Sequence, residues 1–411
     1  MKIKIRLLFP KNKEVNGISE LTDLLDVKYP SLQAFDEEII LFLKELSKYL
    51  LKDNTIQQTP ELVAFAFWIR KSNIKKFLSS LSQNDKIIYV PRGLVFHIAP
   101  SNVDYMFLYS WFISILAGNS NFLRISSNYD DDIVRTIKKL IKFAEENNFW
   151  WFLNSNIILN YEHNDEINNL LSLKADTRIF WGGDETIIRM RKFDSKTNVN
   201  DVYFADKFSY SVVDSNYYIE SAKKEKISLA GNFYNDSYLF NQKACSSPQA
   251  IFFVGNEKSS EEASKVFWQQ LTNEVKNRTN KKSSSLIIEH YLNWFLLAAN
   301  NKVNKTEIND IKPTVVRLPY QDISNTFRTC GGGFFIESFI KNINELLSVG
   351  NESDQTLTYF GFNKVDLKNY VLQKGYRSNL RVVPIGQALN FDVYWDGYSL
   401  LNELVKVISV Y

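Results

Sequence analysis

Apolar residues recur every three to four positions over Glu37–Leu51 and Pro60–Leu81, the spacing of helices that bury one stripe. The first 85 residues therefore read as a polar, helical N-terminal region, and no site stands out in them. Beyond it the period changes. Gly93–Ala99 (GLVFHIA) is a compact apolar run, the pattern of a buried parallel strand. It leads into a predicted helix over Val103–Leu116, and Asn121–Ile125 (NFLRI) reads as the next strand. The stretch Asp130–Glu146 predicts a helix whose opening aspartates suit the positive end of the helix dipole. Asn156–Leu159 and Thr177–Trp181 read as further strands, the latter ending at Gly182-Gly183 before a helix that starts at Asp184. Strand, turn and helix in repetition predict an α/β fold with a doubly wound sheet. A second α/β stretch follows Cys245, with the strand Ala250–Val254, the helix Glu261–Val275 and a mixed region to about Tyr376. The tail Arg381–Tyr411 reads as one more strand (RVVPI) and a final helix. The expected segments are 1–85, 86–239, 240–378 and 379–411.

Composition narrows the classes. The chain of 411 residues is 45% hydrophobic and 23% charged, so it can bury a substantial core and is not a disordered protein. Lys and Arg number 49 against 46 Asp and Glu, and no basic run is interleaved with aromatics, which speaks against a nucleic-acid partner. Two cysteines, Cys245 and Cys330, do not make a disulfide framework and suit a reducing compartment. His97, His163 and His290 lie far apart, none in a metal-ligand spacing, so no metal is expected. Between Asp104 and Arg124 no residue is charged, but the polar end Gly118–Asn121 leaves too short an apolar run to cross a bilayer. The opening MKIKIRLLFP has too short an apolar run for a signal peptide. No membrane span and a cytoplasmic location are the expectation.

Three places could carry chemistry. Cys245 sits in a small-residue loop (FNQKACSSPQ) that runs into an apolar strand, which gives a nucleophile a rigid backing and open space in front. The bland alternative is a small buried residue. Cys330, before Gly331-Gly332-Gly333, reads better as a turn residue. Gly182-Gly183, between strand and helix, would let a backbone approach a pyrophosphate, although Asp184 and Glu185 look like ordinary helix capping and the sequence is not GxGxxG. Asn102 follows GLVFHIA at the carboxyl end of a predicted strand, where open α/β sheets bind ligands. Its amide could donate to a developing oxyanion or simply cap the next helix.

Together, HIAPSNV (His97–Val103), WGGDETI (Trp181–Ile187), FNQKACSS (Phe240–Ser247) and QTLTYFG (Gln355–Gly361) resemble, in kind and order, the LuxC-type acyl-CoA reductases, a branch of the aldehyde dehydrogenase superfamily. The closing stretch RVVPIGQAL…WDGY (Arg381–Tyr398) is also similar, and residues 1–85 match least. The resemblance implies an aldehyde dehydrogenase-like fold, with a Rossmann-type cofactor domain over 86–239, a catalytic domain over 240–378 and a closing segment over 379–411. It implies that Cys245 attacks an acyl thioester, that Asn102 and the Cys245 N–H hold the oxyanion, and that hydride from a nicotinamide then yields an aldehyde. Gly182 and Gly183 would border the cofactor phosphates, and Arg124 stands where the superfamily has an adenosine-binding lysine. Three residues on, Ser127 beside Ser126 replaces the carboxylate of NAD-preferring relatives, which favours NADPH. The superfamily's general-base glutamate has no counterpart in the matching stretch KFSYSVVD (Lys207–Asp214), which suits reduction over aldehyde oxidation. PSNV lacks the more usual glycine before the Asn. By the same resemblance an acyl-protein synthetase is a partner and the chain forms a homo-oligomer. A cysteine acyltransferase or thioesterase without nicotinamide, and a catalytically silent scaffold subunit, are the alternatives.

Overall fold

The structure, a computed structural model, describes residues 4–25, 32–81, 84–99, 105–125, 129–278, 281–300, 303, 306, 308–323, 329–348, 353–375 and 380–411. It divides into two compact units: Met1–Ala205 together with Phe391–Tyr411, and Asp206–Asn390.

Up to residue 205, the strands of the first unit are β1 (Ile5–Phe9), β2 (Lys13–Val15), β3 (Ile87–Pro91), β4 (Leu94–Ile98), β5 (Ser120–Ile125), β6 (Asn156–Tyr161), β7 (Thr177–Trp181) and β8 (Asn200–Phe204). Seven of them form one sheet in the order β2-β1-β6-β5-β4-β7-β8. From β6 to β8 every pairing is parallel. Numbered from β4, the parallel part runs 3-2-1-4-5, the doubly wound order, which opens a ligand crevice at the carboxyl ends of its strands. All five residues of β4 are buried, which is why its sequence does not alternate. The helix Asp131–Glu146 begins where its aspartates suggested, with the Asp130 side chain accepting from the Asp132 N–H, and it buries Ile133, Ile137, Leu140 and Phe143.

Three features of this unit differ from the sequence reading. The N-terminal residues open with strands, not helix: Ile5 and Leu7 pair antiparallel with Tyr161 and Leu159 of β6 and are buried. The stretch Pro60–Leu81 is two helices, Pro60–Trp68 and Lys71–Leu78. With Glu37–Lys52, which sets the Phe42 ring 4.6 Å from that of Phe152, these helices belong to the first unit and are not a region apart. The expected final helix is one turn, Leu400–Glu403, followed by a strand, Val405–Ser409, that pairs antiparallel with β3. Its β-branched residues suit a strand better than a helix.

The second unit holds β9 (Phe208–Asp214), β10 (Ala250–Val254), β11 (Thr314–Arg317), β12 (Phe334–Ile340), β13 (Asp354–Phe360) and β14 (Arg381–Pro384). They form one sheet, order β11-β12-β10-β9-β13-β14, parallel throughout. Tyr210, Val212, Phe252 and Ile336 fill one face, and Val213, Ile251, Phe253 and Phe335 the other. Because β9 lies between β10 and β13, the expected boundary at 239/240 falls inside this unit, and the division comes at 205/206. The tail expected as one closing segment is shared: β14 completes this sheet, and Phe391–Tyr411 belongs to the first unit. Among the described residues no helix is long and apolar enough to cross a membrane.

Candidate functional site

The Cys245 loop leaves the helix Lys223–Tyr238 through two residues in the left-handed region, Asn241 (φ 51°) and Gln242 (φ 60°). Such a conformation costs a non-glycine residue energy and persists where its surroundings hold it. Here the buried Gln242 side chain does the holding. Its Nε2 donates to the carbonyls of Pro248 (2.9 Å) and Phe334 (3.0 Å), and its Oε1 accepts from the Gly333 N–H (3.1 Å). The triple glycine is the bed on which the loop lies. The Gly332 N–H donates to the Asn241 carbonyl at 3.1 Å, and a Cβ on Gly331 would come within 2.7 Å of that oxygen.

Beyond the turn, the Cys245 carbonyl accepts from Ser209 Oγ (2.7 Å), which ties the loop to β9. Ala244 and residues 246–250 are buried, whereas Cys245 is half-buried. Gln355 Nε2 donates to its sulfur at 3.2 Å. The other thiol has a different setting: burial pushes Cys330 up to about 11, which keeps it protonated at neutral pH. Cys330 packs, partly buried, against the core of the second unit just before the turn at Gly332-Gly333.

In the first unit, Arg124 lies near the carboxyl end of β5 and is 8% exposed. Its Nη2 donates to the Tyr161 carbonyl (3.3 Å), its guanidinium stands 5.3 Å from the centre of the Tyr161 ring, and its Nε is buried without a partner among the described residues. Arg124 lines a pocket of about 240 Å³ with Ile98, His163, Glu185, Thr186 and Arg189. Partial burial, then Arg124 and Arg189, hold the His163 imidazole below its usual range, against the pull of Asp165. Gly182 and Gly183 form the junction of β7 with the helix Asp184–Met190, and Gly183 caps that helix without a side chain. The bare Cα of Gly182 has a local reason, since a Cβ there would sit 3.1 Å from the Thr186 methyl. Arg124 and the helix after Gly183 thus share one pocket in the first unit, and Cys245 belongs to the second.

Sequence reasoning did not single out four of these residues: His163, Arg189, Gln242 and Gln355. His163 follows the third strand of the Rossmann order and Arg189 lies one turn into a helix, and neither position has a motif of its own. Gln242 and Gln355 were inside the quoted motifs, yet only the fold shows what their amides bind. Asn102, Ser126 and Ser127 lie outside the described residues. His97, inside the HIAPSNV motif, is a core residue: its Nδ1 lies 2.9 Å from Ser110 Oγ and its Nε2 2.9 Å from Asn121 Oδ1. Among the described residues no group of three or more His, Cys, Asp or Glu could hold a metal ion.

Solved structures share this fold over the full chain. Aldehyde dehydrogenase 21 from Physcomitrella patens, in complex with succinate, superposes with a TM-score of 0.70 at 13% identity, covering 100% of this chain and 94% of its own. An oxidoreductase from Marinobacter aquaeolei gives 0.69 at 11% identity, with coverage of 100% and 94%. The NAD+ complex of an aldehyde dehydrogenase from Bacillus cereus gives 0.59 at 15% identity, with coverage of 90% and 82%. No curated protein sequence matches the chain. The sequence profile of the acyl-CoA reductase (LuxC) family matches residues 26–286, more than half of the chain. With an aldehyde dehydrogenase-like fold and that match, the chain belongs to the LuxC acyl-CoA reductase family of oxidoreductases.

Proposed function

We propose that the protein reduces an acyl thioester to an aldehyde through an acyl-cysteine on Cys245, with NADPH as reductant. The observation that carries this reading is the Cys245 thiol itself, half-buried on a loop whose neighbouring residues are buried and whose turn is stapled by Gln242. Attack by the sulfur on the acyl carbon forms a new C–S bond and expels the donor thiolate, which takes up a proton. The Cys245 backbone N–H and the Asn102 amide hold the negative oxygen in the tetrahedral states. When the acyl carbon has been reduced, the bond to Cys245 breaks, aldehyde departs and the thiolate is restored.

The donor set of the first-unit pocket fits a nicotinamide dinucleotide. The buried, unpartnered Nε of Arg124 suits a phosphate oxygen, and Arg189, ion-paired with Asp165, sets a second guanidinium on the same pocket beside Glu185. Arg124, with Ser126 and Ser127, is assigned to the 2′-phosphate, and Gly182 and Gly183 to the pyrophosphate. Bound there, the cofactor supplies the hydride that converts the acyl carbon to the aldehyde carbon.

The donor is an acyl-CoA or a carrier- or partner-bound acyl group, with an acyl-protein synthetase as the proposed protein partner, in the cytoplasm. Self-association is proposed through the strand Val405–Ser409, where Val407 is 54% and Ile408 44% exposed. The test is NADPH oxidation with a panel of acyl-CoAs, comparing wild type with Cys245→Ala. Oxidation that requires both thioester and Cys245 is the expected result. An acyl adduct on Cys245 without oxidation would move the assignment to acyl transfer. Oxidation that persists in Cys245→Ala would overturn the acyl-cysteine.

A further inference from the structure

We infer that Gln355 is the positioning residue of the Cys245 thiol, its side-chain amide donating to the thiolate before attack and again as the sulfur leaves. The inference rests on Cys245 being the nucleophile, and it is carried by how the fold aims this one amide.

Gln355 lies on β13 where the pairing with β9 slips. Asp354 is opposite Phe208 and Leu357 opposite Tyr210, so three steps on β13 meet two on β9. An extra residue of this kind re-aims a side chain out of the regular alternation. Both ends of the irregularity are pinned. Asp354, fully buried, is ion-paired with the buried Lys374 and accepts from Tyr210 OH at 3.1 Å. On the other side the Thr356 N–H donates to Ser209 Oγ at 3.2 Å, and the same hydroxyl donates to the Cys245 carbonyl. Ser209 therefore joins the backbone that carries Gln355 to the backbone that carries Cys245.

The amide held in this way is 1% exposed. Its Nε2 is 3.2 Å from the Cys245 sulfur, and its Oε1 has no partner among the described residues. A buried amide is normally satisfied at both ends. Here the contact that orients it is the sulfur. An N–H donor favours the charged form of the thiol. It does so at the point where the thiolate must first be available and later be expelled. Being neutral, the amide cannot take a proton from water, so it assists the sulfur without providing a base for hydrolysis of the acyl-enzyme.

The test uses the full chain and needs neither substrate nor cofactor: the pH dependence of Cys245 alkylation by iodoacetamide, with the site mapped by mass. Gln355→Met keeps the length and apolar bulk and removes the donor. Gln355→Glu keeps the shape and replaces the donor by a carboxylate, and it carries the test alone should the Met variant not fold. The alkylation midpoint is expected to rise by about one pH unit in Gln355→Met and further in Gln355→Glu. A slower reduction with little change in KM accompanies it. A midpoint unchanged from wild type in a folded variant overturns the inference, since a merely structural role would leave the thiol titration where it was. Failure of the two readings is distinguishable. An unshifted midpoint alongside an acyl adduct on wild-type Cys245 removes only the role of Gln355. No adduct from any acyl donor removes the acyl-cysteine and leaves the titration result standing.

Discussion

Arg124 and Cys245 are each a single reactive group set in a shell of its own. Arg124 is 8% exposed, yet among the described residues no carboxylate pairs with it, and its Nε is unpartnered. A buried guanidinium in that state is costly unless an anion completes it. Arg124→Ala is therefore expected to raise KM for NADPH by about 10- to 100-fold, the worth of a charge-assisted hydrogen bond or two, with a much smaller change for NADH. Steady-state kinetics with both cofactors check it, and an equal loss with the two would remove the assignment to the 2′-phosphate. Arg124 was legible only through the family resemblance, which sets it in the place of an adenosine-binding lysine. The loop around Cys245 was legible as small and polar. What its glutamines do was not, because Gln242 binds Phe334 and Gln355 binds Cys245 across separations that no local pattern encodes.

At the scale of elements, buried parallel strands announce themselves by length and apolar content, and β4, β7 and β10 lie where those runs are. Strands at the margin of a sheet are harder to read. In β1 the apolar residues alternate only at first (Ile5, Arg6, Leu7), and Leu8 and Phe9 are also buried where the pairing with β6 shifts register and Phe9 packs on Trp111. Charged neighbours then made a largely buried strand look like part of a polar, helical region. The claim that β1 is part of the core has a measurable consequence. Leu7→Ala is expected to cost about 2–5 kcal/mol in urea unfolding, the range for truncating a buried leucine. A cost near zero would mean that β1 adds nothing to the sheet. The stretch after Leu400 misled for the opposite reason: one helical turn precedes β-branched residues, and only pairing with β3 decides between helix and strand.

For the whole molecule, two buried groups work against each other as pH changes. Burial holds His97 down at about 4, so its folded pKa is depressed; its contribution is present above the usual 6.5 and lost as pH falls through about 4. Burial pushes Asp236 up to about 7, against the N–H groups of Gly386 and Ala388; its contribution is present below the usual carboxylate range and lost as pH rises through about 7. These contributions are roughly 3 and 4 kcal/mol. His290, also held down at about 4 by burial and Lys282, adds to the His97 side, so Asp236 offsets only part of the rise in wild-type stability between about pH 4 and pH 7. Asp236→Asn is expected to remove that offset, so that stability rises more steeply with pH across that window than in wild type, read from urea midpoints. A flat profile in the variant would sink the account.

The pairing of β3 with the strand Val405–Ser409 also bears on how the protein is made. On the ribosome β3 emerges early, and its partner is translated about three hundred residues later. At typical rates of synthesis that is a delay of some tens of seconds, during which the second unit, residues 206–390, is complete in sequence before the first. The interrupted unit must hold the pairing edge of β3 bare until Val405–Ser409 arrives. A nascent chain stalled or cut short just before Val405 would thus present an unpaired strand edge that is hydrogen-bonded once Val405–Ser409 is in place.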